Sequence, residues 1–248
     1  RIETPLGPKG SPSFSPDGRW LAYTGHEGRG MDWKNTGVWV VPLDGSTPAR
    51  NLSEPFDFDV TASTINDLPS GMPVVSPTWS RDGRRLTFQI TRHGDVLLKS
   101  LAVDGGPTTL ETVVGGPGVV EGFGFDRERS KLVYFRVTMT DPGQVWVRDV
   151  RTGRERPLTR VNAPLLRALD LGQVEEVWFK GAAGNDLQGW ILKPPDFDAR
   201  QKYPSILEIH GGPLVQYGHS FMHEFYYLAA HGYVVYFCNP RGGQGYGE

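Results

Sequence analysis

Two glycine-rich stretches near the C-terminal end have the composition with which a backbone does chemistry. They are His210-Gly211-Gly212-Pro213 and Asn239-Pro240-Arg241-Gly242-Gly243, the second running on into Gly245-Tyr246-Gly247. Without a Cβ, glycine lets the chain approach a ligand closely and turn N–H groups outward, which is what a carbonyl oxygen needs when it becomes a tetrahedral oxyanion. A Gly-Gly-Pro loop also serves as a plain tight turn. Its position straight after the apolar run Ser205-Ile206-Leu207-Glu208-Ile209 favours the chemical reading. The attacking hydroxyl that such a cradle serves has no visible source, because no Gly-x-Ser-x-Gly elbow occurs in the sequence. Gly218-His219-Ser220-Phe221-Met222 imitates its first half, but Met222 stands where close strand-to-helix packing needs glycine, so Ser220 is expected to cap the following helix.

Other chemistry-bearing residues have plainer explanations. His219 and His223 are one helical turn apart with Glu224 beside them, yet the zinc-peptidase order His-Glu-x-x-His fails because Tyr227 takes the second histidine position. A solvated or core-edge pair is expected, and no metal. Glycines 243, 245 and 247 would need a further glycine at Glu248 to cradle a dinucleotide, so no cofactor is implied. Asp17, Asp82 and Asp126 recur in a repeated turn, which makes them structural rather than catalytic carboxylates.

That turn belongs to a unit that appears three times. Phe14-Ser15-Pro16-Asp17-Gly18-Arg19-Trp20-Leu21 matches Trp79-Ser80-Arg81-Asp82-Gly83-Arg84-Arg85-Leu86, and more loosely Phe125-Asp126-Arg127-Glu128-Arg129-Ser130-Lys131-Leu132. Each copy predicts a hairpin, followed by strands at Val38-Trp39-Val40-Val41, Val96-Leu97-Leu98 and Val145-Trp146-Val147 and then by Leu52, Leu110 and Leu158. Four short antiparallel strands per repeat fit a propeller blade, and the 46 residues from Trp79 to Phe125 are close to blade length. From Phe14 to Trp79 the interval is 65, the excess lying in Asn51 to Val75 and reading as a loop inserted between blades. A β-sandwich is the alternative; repetition at blade length favours the propeller. Three blades do not close a ring.

After Asn162 the texture changes. Ala163 to Leu171 predicts a short helical connector, Val174 to Lys180 and Leu187 to Leu192 a hairpin ended by Pro194-Pro195. Ser205 to Ile209, the helical pattern from Phe221 to His231, and Val234-Val235-Tyr236-Phe237-Cys238 form a βαβ unit. The expected division is therefore 1–162 and 163–248.

Composition narrows the class of function. With 38% hydrophobic residues the chain can bury a core, and 26 basic against 28 acidic residues leave no cationic stripe for nucleic acid. Its apolar runs are far too short to span a bilayer. Cys238 is the only cysteine, so no internal disulfide is possible, which suits a reducing cytoplasm. Opening at Arg1 directly in repeat-like sequence reads as a cut inside a larger protein.

From Val174 onward the chain resembles the prolyl oligopeptidase family of serine peptidases, most closely its acylaminoacyl-peptidase branch. Gly189-Trp190, Lys202-Tyr203-Pro204 leading into His210-Gly211-Gly212-Pro213, and Asn239-Pro240-Arg241-Gly242-Gly243 with Gly245-Tyr246-Gly247 carry the likeness. The resemblance implies a partial β-propeller followed by the first part of an α/β-hydrolase domain, and an enzyme that cleaves short peptides, releasing acylated or free N-terminal residues. It implies one oxyanion donor at the Gly212 backbone N–H and substrate contacts at Gly211 and Arg241, with Arg241 either orienting neighbouring loops or satisfying buried carbonyls. Other branches put a tyrosine hydroxyl where His210 stands, so His210 is expected to hold the loop structurally. The family's Ser, Asp and His would lie outside these residues, on a complementary part of the same enzyme, leaving this piece inactive alone. A homo-oligomer is a further implication. The alternative is a propeller-type scaffold without catalysis.

Overall fold

The computed structural model describes residues 2–68 and 75–248, so residues 69–74 of the segment read as an inserted loop lie outside the described residues. Strands β1 (Lys9–Phe14), β2 (Trp20–Gly25), β3 (Gly37–Pro42) and β4 (Arg50–Asn51) form a four-stranded sheet in chain order. The next set is β5 (Thr78–Trp79), β6 (Arg85–Arg92), β7 (Asp95–Ala102) and β8 (Glu111–Val114), and the third is β9 (Val119–Phe125), β10 (Lys131–Thr138), β11 (Asp141–Asp149) and β12 (Glu155–Pro157). Within each set neighbours pair antiparallel, and the last two sets join into one eight-stranded sheet through the single parallel pair Val96 and Val119. The fourth strands are short, so Leu52, Leu110 and Leu158 fall just outside them.

The repeated turn is built as its sequence suggests. Ser15 Oγ donates to Asp17 at 2.6 Å and the Arg19 N–H to the same oxygen at 3.1 Å, while Ser80, Asp82 and Arg84 repeat both bonds at the same two lengths. Those hydrogen bonds, led by the Ser15 hydroxyl, hold the Asp17 carboxyl down at about 2. The aromatic anchors are not equivalent, however. Trp79 is buried under β1, whose Ser13 carbonyl accepts its indole N–H at 3.2 Å, whereas no described element covers Phe14, which is 66% exposed.

After the short helix α1 (Ala163–Arg167), strands β13 (Gln173–Lys180), β14 (Asp186–Lys193), β15 (Ser205–Glu208) and β16 (Val234–Cys238) form a sheet in the order β13-β14-β16-β15. β14 runs antiparallel to β16 and β15 parallel to it, with helix α2 (His223–Ala230) as the crossover. Helical spacing explains the packing of α2: Phe225, Tyr226 and Ala229 fall on one face and are buried. They meet Trp190 and Phe237 in a core that also takes in Val96, Val119 and Val137 from the preceding sheet. Apolar packing thus runs across the division expected at 162/163.

Hydrogen bonds reinforce that junction. Gln216, fully buried, accepts the Gly94 N–H at 3.0 Å and donates to Thr64 Oγ1 at 2.7 Å, while the His219 N–H donates to Gly94 O at 2.8 Å. The segment after β4 is pinned as well: Asp59, 1% exposed, bridges to Thr91 of β6, and Phe58 and Val60 enter a separate core with Trp79, Leu86 and Phe88. Ser220 does not cap α2, contrary to expectation, because the helix starts three residues later at His223. The cap comes from Asp67, whose two carboxylate oxygens accept the His223 and Glu224 N–H groups at 2.8 and 2.6 Å. Such a carboxylate at a helix start contributes about 1 kcal/mol.

Candidate functional site

Parallel pairing decides where the two glycine-rich loops go. Because Glu208 of β15 lies opposite Phe237 of β16, both strands end at the same edge of the sheet and release their loops side by side. The loops touch. A Cβ on Gly243 would sit 3.1 Å from Val215 O and 3.7 Å from His210 Cε1, and the Gln244 N–H donates to Val215 O at 3.1 Å.

Gly211, Gly212 and Pro213 are all exposed. Among the described residues the Gly212 N–H has no acceptor within the chain, so it is open to a ligand. His210 stands behind it: its Nδ1 lies 2.9 Å from Gly211 O, which puts the proton on that nitrogen, and its ring meets Tyr217 edge-on at 5.0 Å. This is the structural placement anticipated for His210. Arg241 is exposed and, among the described residues, makes no hydrogen bond to any carbonyl. Ser220 is no nucleophile here, since its Oγ is buried without a partner among the described residues.

A cavity of about 300 Å³ lies between these loops and the first sheet, bordered by Leu214 and Gln244 on one side and by Thr24, His26 and Asp32 on the other. A second, of about 340 Å³, shares Thr24 and Thr36 with it and reaches Gln89 and Glu121. Burial pushes the Glu121 carboxyl up, against the hydrogen bond that Asn66 Nδ2 donates to it at 2.7 Å. Among the described residues no cluster of three or more His, Cys, Asp and Glu side chains could hold a metal ion, and no helix is long and apolar enough to cross a membrane.

Three residues near this site carry connections that local sequence patterns do not reveal. Asn239, 1% exposed, clamps the backbone of Tyr217, accepting its N–H at 2.7 Å and donating to its carbonyl at 2.8 Å. Tyr246 accepts the other amide proton of Asn239 at 2.6 Å and donates its own to Gln188 Oε1 at 2.5 Å. His219 lies between two carboxylates, with Nδ1 2.7 Å from Asp95 of β7 and Nε2 3.3 Å from Glu176 of β13. Only a protonated imidazole donates from both nitrogens. Burial works to lower the His219 pKa, but the hydrogen bond and charge of Asp95, followed by those of Glu176, outweigh it and raise it.

A pH dependence of stability follows. A histidine whose folded pKa is raised stabilises fully below its unfolded pKa, near 6.5, and loses that stabilisation as pH rises through the folded value. The unfolding free energy should therefore fall more between pH 6 and pH 9 in the wild type than in His219→Gln, mostly through the Asp95 arm because Glu176 is better solvated. Parallel pH profiles of the denaturant midpoints for the two proteins would remove His219 from this role.

No family model matches the chain. Among curated proteins it is similar to the uncharacterized peptidase YuxL of Bacillus subtilis (strain 168), 29% identical over 79% of this chain and 29% of that protein. It is also similar to dipeptidyl-peptidase 5 of Arthroderma otae, 26% identical over 99% of this chain and 32% of that protein. Of solved structures, the acylaminoacyl peptidase of Pyrococcus horikoshii matches with a TM-score of 0.72 and 25% identity, over 93% of this chain and 32% of its own. The chain thus spans about a third of the length of the proteins it matches.

Proposed function

We infer, given that this chain belongs to the prolyl oligopeptidase family of serine peptidases, that it forms one side of the active site of an enzyme that hydrolyses short peptides. The observation that carries this reading is the pair of loops at the common end of β15 and β16, with the Gly212 N–H exposed and without an acceptor among the described residues, and with Leu214 and Gln244 of the same loops bordering a cavity. In this proposal a serine hydroxyl supplied by sequence beyond these residues attacks the scissile carbonyl while a histidine takes its proton. The Gly212 N–H stabilises the oxygen as it gains charge. The intermediate collapses as the C–N bond breaks and the histidine gives its proton to the departing amine, and water then hydrolyses the acyl-enzyme to the carboxylic acid and the free serine. Gly211 and Arg241, both exposed at the rim, are the proposed substrate contacts.

The three antiparallel sets of residues 1–162 are proposed as propeller blades, and 163–248 as the start of an α/β-hydrolase domain. A propeller over the site admits only short, unfolded chains, which agrees with release of acylated or free N-terminal residues. Acylaminoacyl and dipeptidyl p-nitroanilides, assayed on the full-length protein alongside labelling by a fluorophosphonate, test this. Turnover of one substrate class with labelled serine is expected. A protein that labels nowhere and cleaves neither class is not a serine peptidase, and turnover of simple esters alone would make it an esterase.

A further inference from the structure

We infer that Asn239 is the positioning residue of the Gly211–Gly212 cradle, acting through Tyr217. This role presupposes the peptidase reading above and adds a residue to it. The backbone N–H and both side-chain polar atoms of Asn239 are all directed. Its backbone N–H donates to Gln188 O of β14 at 2.9 Å, which ties the position to the sheet. Its side-chain amide meets Tyr217 in both directions, as a neighbouring strand would, so Oδ1 and Nδ2 cannot exchange places. The remaining Nδ2 proton is taken by Tyr246, whose hydroxyl, kept protonated by burial, ends the chain on Gln188.

Tyr217 passes this anchoring on. Its ring packs edge-on against His210 at 5.0 Å and is held from the other sides by Phe225 at 5.5 Å and Phe237 at 5.6 Å. His210 in turn bonds Gly211 O and packs beside Gly243. Apart from that bond and the one from the Val215 N–H to Pro213 O at 2.8 Å, Gly211 to Pro213 make no hydrogen bond among the described residues, so the direction of the Gly212 N–H depends on what the loop packs against. A donor must point at the place the oxyanion will occupy, so a small displacement costs rate and leaves ground-state binding nearly intact.

Asn239→Asp in the full-length enzyme is the test, because it keeps the size of the side chain and the acceptor for the Tyr217 N–H. Its second oxygen, however, faces the Tyr217 carbonyl and the Tyr246 hydroxyl, where a donor is needed. We expect kcat to fall on the order of tenfold to a hundredfold with KM within about twofold. Affinity for a peptidyl boronic acid, which forms a tetrahedral adduct, should fall in parallel, and the ratio of variant to wild-type kcat should rise as pH drops and the new carboxyl regains a proton. Tyr246→Phe, which leaves the clamp on Tyr217 in place, should lower kcat several-fold in the same pattern. A raised KM at unchanged kcat, or a lowered melting temperature with unchanged kcat and boronate affinity, overturns the inference alone. An inert wild-type enzyme that binds no boronate overturns the peptidase reading and this role with it.

Discussion

Gly218→Ala is expected to destabilise the protein by about 3–5 kcal/mol, combining overpacking with the loss of buried hydrogen bonds. A Cβ at Gly218 would lie 1.9 Å from Gly94 O and 2.6 Å from Gly94 C, so backbone meets backbone and no flexible side chain can give way. Gly94 is itself crowded: a Cβ placed on it would be 2.9 Å from the ring of Trp190, among the most buried side chains in the core, and 3.1 Å from Gly218 Cα. Separating the two segments breaks the bond from the His219 N–H to Gly94 O and strains the one from Gly94 to Gln216. It also moves the His219 ring away from Asp95. Denaturant melts of the full-length protein give the value, with Gly124→Ala as control. Gly124 is exposed and has nothing within 4 Å of its added Cβ, so that change should stay within about 0.5 kcal/mol. A loss below about 1 kcal/mol for Gly218→Ala would show that the segments do not approach this closely.

Junction contacts of this kind mark the limit of what the sequence discloses. Asp17 and Asp82 act on residues two positions away, so their turns and the strands they join are written locally. β15, α2 and β16 were equally readable, since period and length separate a buried strand from an amphipathic helix. Asp67 was not. It caps a helix that begins 156 residues later, and no spacing within either segment refers to the other. Ser220 looked like the cap because it precedes the helical pattern, yet with α2 starting at His223 its hydroxyl lies outside capping reach. His219 and Gln216 follow the same rule. Their types signal buried polarity, but the partners Asp95, Glu176 and Thr64 are brought in by the packing of one sheet on another. The side-by-side placement of the glycine loops was legible because strand ends in a parallel pair lie together, whereas the clamp from Asn239 to Tyr217 needed the positions of both loops.

On the proposed role of its N–H as an oxyanion donor, Gly212→Ala in the full-length protein is expected to lower kcat on the order of a hundredfold to a thousandfold, the range seen when such a donor is removed. The N–H itself survives this substitution, so the effect comes from geometry. Gly212 has φ +122°, a region closed to L side chains, and its added Cβ would lie 2.8 Å from Val215 Cγ2 and 3.0 Å from Leu214 N. To relieve both, the peptide must rotate, and the N–H direction rotates with it. KM should change by no more than about threefold, because the substrate carbonyl is held less tightly than the oxyanion before reaction. Gly211→Ala provides the contrast: its φ is ordinary and nothing lies within 4 Å of its added Cβ, so as a proposed substrate contact it should act on KM while kcat stays within about threefold. The pair separates two explanations that a single variant confuses. If crowding of substrate at the rim were responsible, the exposed Gly211 position would suffer at least as much as Gly212. If the direction of one N–H is what the loop supplies, only Gly212→Ala loses rate, and its affinity for a peptidyl boronic acid falls with it. Equal losses at both glycines, or kcat within threefold for Gly212→Ala, would remove the Gly212 N–H from the reaction.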